Sequence, residues 1–283
     1  MKTIVFISDM FIEQYAGGAE LTTEALITKA SKNYSIVKLN SQAADMEKLE
    51  QLKKFKFIVC NFSALSQKSK LYMCKNLNYD LIEYDYKFCE YRSLEKHKAA
   101  TLSPCDCLER LSGKVNAAFY GYAKKIWFMS KAQQQIFLKN VKTIKSEKCE
   151  VLSSVFSDGD LRFMDSIKSN EKNNKYLILN SGSWIKGSTH SIEFAEKNNL
   201  EYEMVQGLSY HDMLIKLSTS KGLIFRPLGG DTCPRIVIEA LLLGCDLKLN
   251  DFVQHKDEDW FKNQEKCYEY MRTRSSHFWE HYE

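Results

Sequence analysis

The sequence predicts an α/β protein made of two doubly wound, parallel-sheet domains. Three observations carry that prediction. In the first 150 residues, short apolar runs such as KTIVFIS (2–8) alternate with stretches of helical composition. Such runs read as strands buried on both faces of a parallel sheet. A polar stretch, SIKSNEKNNK (166–175), then reads as a linker. Beyond it the alternation starts again with YLILN (176–180).

Taken in order, the first half places strands at 2–8, 35–39, 57–61, 81–84, 125–129 and 150–152. Helices are expected at 19–32, 46–55, 65–77 and 131–140. The first loop ends in Gly17-Gly18-Ala19-Glu20. This is not the GxGxxG turn of a dinucleotide-binding dehydrogenase, which disfavours that class. Ligands of parallel sheets sit outside the carboxyl ends of the strands. That rule selects Gly17, Gly18, Asn61, Phe62, Asp85, Tyr86 and Lys87. The segment YDYKFCEYRSLEKHK (84–98) mixes rings and cations, which suits an acceptor bearing phosphates and rings as well as it suits a surface loop. Cys89, His97, Cys105 and Cys107 are of zinc-ligand type. Their spacing matches no CxxC knuckle, however, and cysteines more often serve as small core residues.

In the second half, the strand at 176–180 leads through Ser181-Gly182-Ser183-Trp184-Ile185-Lys186-Gly187 into a helix ending near 198. A strand at 203–206 and a helix starting at Ser209 or Tyr210 follow, with His211 read as a surface residue. The stretch GLIFRPLGGDTCPRIVIEALLLGC (222–245) reads as a strand at 223–225, a Gly229-Gly230 turn and a helix at 234–243. Pro234 suits the first helical position. Asp231 or Thr232 is a candidate cap, and Gly244 a C-terminal stop. The unpaired N–H groups and dipole at such a helix start make an anion site. Glu239 lies among Ile236, Val237, Ile238, Ala240, Leu241 and Leu242. A carboxylate there needs a partner, which is either a ligand hydroxyl such as a ribose or an internal group. Past residue 250 the chain turns polar and aromatic.

Composition narrows the classes. With 44% apolar residues, 283 residues suffice for one or two real cores. No run approaches the roughly 20 apolar residues of a membrane span, and the start is not that of a signal peptide. Nine cysteines without a secretion signal are expected to be free thiols in a reducing, cytoplasmic setting. The net charge of +4 is unevenly spread. Residues 1–150 hold 24 Lys and Arg against 16 Asp and Glu, and the remainder 16 against 20. A basic half attracts an acidic partner, unless its lysines are simply solvated.

The pair Asp231 and Glu239, with seven residues between them and followed by a small-residue helix, resembles the donor-site signature of GT-B glycosyltransferases of the retaining, glycogen-synthase-like kind. Gly17-Gly18-x-Glu20 is similar to the GG-x-E after their first strand, and Lys186-Gly187 to their phosphate-binding Lys-Gly. The likeness extends over the whole chain and is stronger in the second half. It implies a GT-B fold: an acceptor-side Rossmann-like domain (1–165), a nucleotide-sugar domain facing it across a cleft (172–265) and a terminal helix crossing back (266–283). It also implies transfer of a sugar from a nucleotide-diphosphate sugar, a UDP-sugar first, to an acceptor hydroxyl with retention. No other cofactor and no metal are expected. Lys186, Asp231 and Asp85 are the implied catalytic residues. Glu239 is the implied ribose ligand, with Gly17, Gly18, Gly182, Ser183, Arg226, Thr232, Cys233 and Arg235 lining the donor site. The sequence departs from the pattern at three places. Asp231 stands where a glutamate is usual, Asp85 where a histidine is, and Ser183 where an arginine is, with Arg226 or Arg235 as stand-in cations. The acceptor is expected to be a glycan or lipid-linked sugar, or a hydroxylated base in DNA. The departures also leave open a nucleotide-sugar-binding protein without catalysis.

Overall fold

The computed structural model describes residues 2–31 and 33–282. The chain divides into two compact units, Met1–Val155 with Ser275–Glu283, and Phe156–Arg274.

The first unit is built on strands β1 (Lys2–Ser8), β2 (Tyr34–Asn40), β3 (Lys56–Val59), β4 (Tyr79–Glu83), β5 (Ile126–Phe128) and β6 (Cys149–Val151). They form one sheet in the order β2-β1-β3-β4-β5-β6, with every pair parallel. The connecting helices are α1 (Gly18–Ala30), α2 (Met46–Gln51), α3 (Gln67–Asn76), α4 (Leu94–Thr101), α5 (Leu111–Tyr122) and α6 (Lys131–Asn140). Val5, Ile7, Phe57, Val59, Leu81 and Phe128 are fully buried with Phe119 and Phe137 from the helices. Phe6, Ile58, Ile82 and Trp127, which alternate with these strand residues, are buried as well, so the sheet has the burial on both faces that the near-continuous apolar runs required. Serines at Ser66, Ser93 and Ser130 cap α3, α4 and α6 through the backbone three residues on.

The second unit contains α7 (Asp158–Ser166), β7 (Tyr176–Leu179), α8 (Ser188–Lys197), β8 (Tyr202–Val205), α9 (Tyr210–Thr219), β9 (Gly222–Phe225), α10 (Arg235–Leu242) and β10 (Asp246–Leu249). Its parallel sheet has the order β10-β9-β7-β8. Tyr176, Ile178, Ala195 and Ile224 form the core on one face. The expected start of α10 needs correction. Pro234 is its N-cap rather than its first residue, at φ −63 and ψ 114, and its own side chain makes no capping hydrogen bond. Asp231 does not cap it because its carboxylate is bound to Lys186 and its backbone is bridged to Val253. Gly244 does stop the helix, at φ +73. Strand β10 and helices α4, α5 and α7 were not anticipated. Strand β10 and helix α4 are short and rich in charge, and α5 is interrupted by Gly113 and Gly121.

The last helix, α11 (Gln264–Glu280), ends among residues of the first unit. There Trp279 donates its indole N–H to the Leu26 carbonyl (3.0 Å), Tyr282 its hydroxyl to Asp80 (2.7 Å), and Phe278 lies 5.1 Å from the Trp127 ring.

In the second unit His255 is fully buried, stacked on Trp260 at 5.2 Å and edge-on to Phe261. Neither ring nitrogen has a hydrogen-bond partner among the described residues. Burial lowers its pKa to about 3. The unfolded chain therefore takes up this proton near pH 6.5 and the folded chain only near 3. Stability is full above 6.5 and falls below it, by up to about 1.4 kcal/mol per pH unit. His255→Phe is expected to flatten the acid side of a stability-versus-pH curve from urea unfolding. An unchanged slope would exclude a buried neutral imidazole.

Candidate functional site

In each sheet the strand order reverses direction at one place, between β1 and β3 in the first unit and between β7 and β9 in the second. Loops leaving the carboxyl ends of strands at such a point diverge and leave a crevice for a ligand.

In the second unit the two loops in question are Asn180 to Gly187 and Arg226 to Pro234. They are joined by Leu228 N–H to Ile185 C=O (3.1 Å). Ser188 fixes the first by donating its hydroxyl to Leu179 C=O (2.7 Å) and accepting from Ser181 N–H (3.1 Å). Trp184–Lys186 then form a 3-10 turn ending at Gly187, at φ +61. A Cβ on Gly187 would lie 2.1 Å from the Arg226 carbonyl oxygen. Only glycine permits both the left-handed backbone and this approach. The result is that Lys186 is carried onto Asp231, with Nζ to Oδ2 at 2.8 Å and Nζ 5.5 Å over the Phe225 ring. Thus 45 residues of separation close into one ion pair beside the start of α10. Gly182 faces open space and Ser183 precedes the turn. Thr232 and Cys233 are buried between Asp231 and the helix. Gly187→Ala is expected to cost about 1–3 kcal/mol from forced positive φ alone, with more from the backbone clash. It should lower the melting temperature, and a variant as stable as the wild type would contradict this packing.

The two stand-in arginines are placed elsewhere. Arg226 donates Nη1 to Leu249 C=O (2.8 Å) and lies 4.2 Å over the Phe194 ring. Arg235 is buried, 3.9 Å over Phe156, with Nη2 donated to the Tyr210 hydroxyl (3.0 Å) and Nε 3.3 Å from Glu239. Asp160 lies 3.8 Å from its Nη2. Arg235 is therefore a counter-ion within the unit and not a spare cation for phosphate. Glu239, one helical turn on, is buried with it, so of the two readings of Glu239 the internal partner is present. Burial pushes the Glu239 pKa up, against the pull of Arg235 and Tyr210.

In the first unit, Gly17 is the N-cap of α1. A Cβ there would lie 2.5 Å from Glu20 Oε2 and 2.6 Å from the Tyr15 ring, so Gly17 leaves room for both side chains. Burial raises the Glu20 pKa. Asp9, after β1, ties three loops together by accepting from Ser63 N–H and Ala64 N–H (both 3.0 Å) and from the Ser41 hydroxyl.

Asp85 follows β4. Burial opposes its ionisation, but Lys87 (3.1 Å) and Arg92 (Nε at 2.7 Å) outweigh burial and hold its carboxyl below the usual range. It is a fixed carboxylate, without the proton that a histidine could carry.

Sequence reasoning missed its neighbour Glu83, which is fully buried between Lys87 (2.7 Å) and the Tyr120 hydroxyl. Burial pushes Glu83 up to about 7. Its only signal was one acid closing an apolar strand. Gln133 Nε2 donates to both Glu83 C=O (3.0 Å) and Asp85 C=O (2.8 Å), fixing the loop. Lys70, also missed, is buried against Asn116 (2.9 Å) and lowered to about 8 by burial. Cys89, His97, Cys105 and Cys107, which spacing left apart, converge on one point. A cavity of about 600 Å³ bordered by Lys2, Tyr34 and Lys56 opens at the amino ends of these strands, away from the loops just described.

No family model and no curated protein sequence matches the chain. Solved structures do. HepE of Anabaena in complex with UDP and glucose aligns with 12% identity over 98% of this chain and 96% of that one, at a TM-score of 0.57. The catalytic domain of starch synthase IV from Arabidopsis thaliana, bound to ADP and acarbose, aligns with 10% identity over 97% and 95%, at 0.58. UDP-GlcNAc 2-epimerase from Neisseria meningitidis, bound to UDP-GlcNAc, aligns with 11% identity over 100% and 99%, at 0.53. At such identities the likeness is one of fold, and the fold of this chain is GT-B.

Proposed function

We propose that the protein is a glycosyltransferase that moves a sugar from a nucleotide-diphosphate sugar, UDP-linked first, to an acceptor hydroxyl with retention. The observation that supports this most is the Lys186–Asp231 pair at the β7/β9 switch point. A cation, a carboxylate and a helix start in one crevice of a GT-B fold are the parts that a sugar diphosphate needs. In this reading Lys186 and the α10 terminus take the diphosphate and stabilise the charge that grows on it as the glycosidic bond breaks. Asp231 accepts hydrogen bonds from sugar hydroxyls. Glu239 accepts from the ribose, exchanging contacts with Arg235 and Tyr210 as nucleotide enters. The acceptor uses the first unit, where Asp85 and Arg92, with the buried Lys87 behind Asp85, form a fixed charged group at the end of β4.

The epimerase bound to UDP-GlcNAc shares this fold over nearly its whole length, which favours one second reading, rearrangement of a UDP-sugar without transfer. A nucleotide-sugar panel, with proton NMR of the products, separates the two. Release of UDP with a free or transferred sugar supports transfer, and a retained anomer supports retention. Interconversion of the UDP-sugar without UDP release supports epimerisation. Turnover of no donor would overturn both. Glycan acceptors and duplex DNA carrying hydroxylated bases, assayed across salt concentrations, then separate the acceptors, since phosphate contacts make binding steeply salt-dependent.

A further inference from the structure

Between β4 and α5, three cysteines and one histidine from a 19-residue stretch meet in space. The ligand atoms of Cys89, His97, Cys105 and Cys107 all lie within 4.8 Å of one another. Cys89, His97 and Cys107 are buried and Cys105 is partly so, with all four side chains inside one unit.

The two nitrogen–sulfur separations are those of a tetrahedral site. Bonds of about 2.3 Å to sulfur and 2.0–2.1 Å to imidazole nitrogen put a sulfur and a nitrogen ligand about 3.6 Å apart. His97 Nδ1 lies 3.6 Å from Cys89 Sγ and 3.5 Å from Cys107 Sγ.

The surroundings fit as well. The far nitrogen of the ring, Nε2, faces Asp106 Oδ1 at 3.6 Å, the carboxylate partner that fixes tautomer and orientation in metal-bound imidazoles. Asp106 is itself held by Arg110 at 2.9 Å. Glu90 N–H donates to Cys107 Sγ at 3.4 Å, which stabilises a thiolate. Tyr91 covers the imidazole edge-on at 5.2 Å. Gly113 is required by the same turn, because a Cβ there would lie 1.9 Å from Cys107 O.

We propose that Cys89, His97, Cys105 and Cys107 bind one Zn²⁺ ion in a closed, structural site. Three thiolates and one imidazole in tetrahedral array favour zinc among common divalent ions, and four protein ligands leave no position for substrate. The ion pins the turn from Cys89 to Arg92, where Arg92 adopts φ +56 and its N–H meets Cys89 C=O at 3.0 Å. It thereby holds the arginine that pairs with Asp85. This inference stands on the first unit alone and does not depend on the donor site.

The test begins with wild-type protein purified without a histidine tag, under reducing conditions and without added zinc. Elemental analysis is expected to find about one zinc per chain. After stripping, titration with Co²⁺ is expected to give the visible ligand-field bands of a tetrahedral thiolate site, saturating at about one equivalent. Cys105→Ser and His97→Ala are expected to lose most of the bound metal and to shift or abolish those bands. Cys245→Ser, in the other unit, should keep both. The wild-type measurements stand even if a variant fails to fold. Reduced wild-type protein that carries no zinc and takes up no cobalt would overturn the proposal. So would a disulfide between any two of Cys89, Cys105 and Cys107 in protein isolated under those reducing conditions.

Discussion

Lys186→Ala is expected to lower the rate of sugar transfer by about 10²–10³, the loss that follows removal of one preorganised donor to developing transition-state charge. Lys186 is the cation that the structure sets against Asp231, because Arg226 and Arg235 are bound elsewhere and Ser183 supplies none. Its side chain is 33% exposed and that of Asp231 11%, so the pair borders solvent and its loss costs little stability. The effect should therefore fall on kcat, with the melting temperature nearly unchanged. Lys186→Arg keeps the charge but not its compact geometry, and should recover part of the rate. A wild-type rate in Lys186→Ala would remove the diphosphate from this crevice.

The second large effect is on stability. Arg235 and Glu239 are a buried pair one turn apart on α10, 3.3 Å between Nε and Oε1. Truncating one partner strands the other, at a cost of about 3–5 kcal/mol. Arg235→Ala or Glu239→Ala should thus lower the melting temperature by roughly 6–20 °C, while a paired Arg235→Met, Glu239→Leu variant should recover most of the loss. Glu239→Gln separates the ribose role from this structural one, since it keeps the shape and removes the charge. Calorimetry with UDP should show weaker binding to it, and equal affinity would confine Glu239 to the internal pair.

How far these features were legible depended on sequence distance. The alternation of strands and helices is a local signal, and both parallel sheets follow from it. Lys186 and Asp231 were also readable, because each sits beside glycines in a loop after a strand. Arg235 and Glu239 show i,i+4 spacing, yet charge alone cannot tell a phosphate ligand from a counter-ion. That difference lies in Phe156, Asp160 and Tyr210, brought in from other elements. Glu83 was hidden because its partners Lys87 and Tyr120 come from a loop and a distant helix. The four metal-type side chains were obscured for a similar reason. Helix α4 carries His97 back toward Cys89, a fold-back that no linear motif encodes.

The docking of Trp279 on Leu26 and of Tyr282 on Asp80 ties residues more than 200 positions apart into the first unit. On the ribosome, the sheet of the first unit is thus made before the second unit but lacks part of its packing until the residues from Ser275 on have emerged. The second unit has all of its strands and both switch-point loops before that. Maturation should then run against the order of synthesis, with the middle of the chain settling first and the earliest-made segment last.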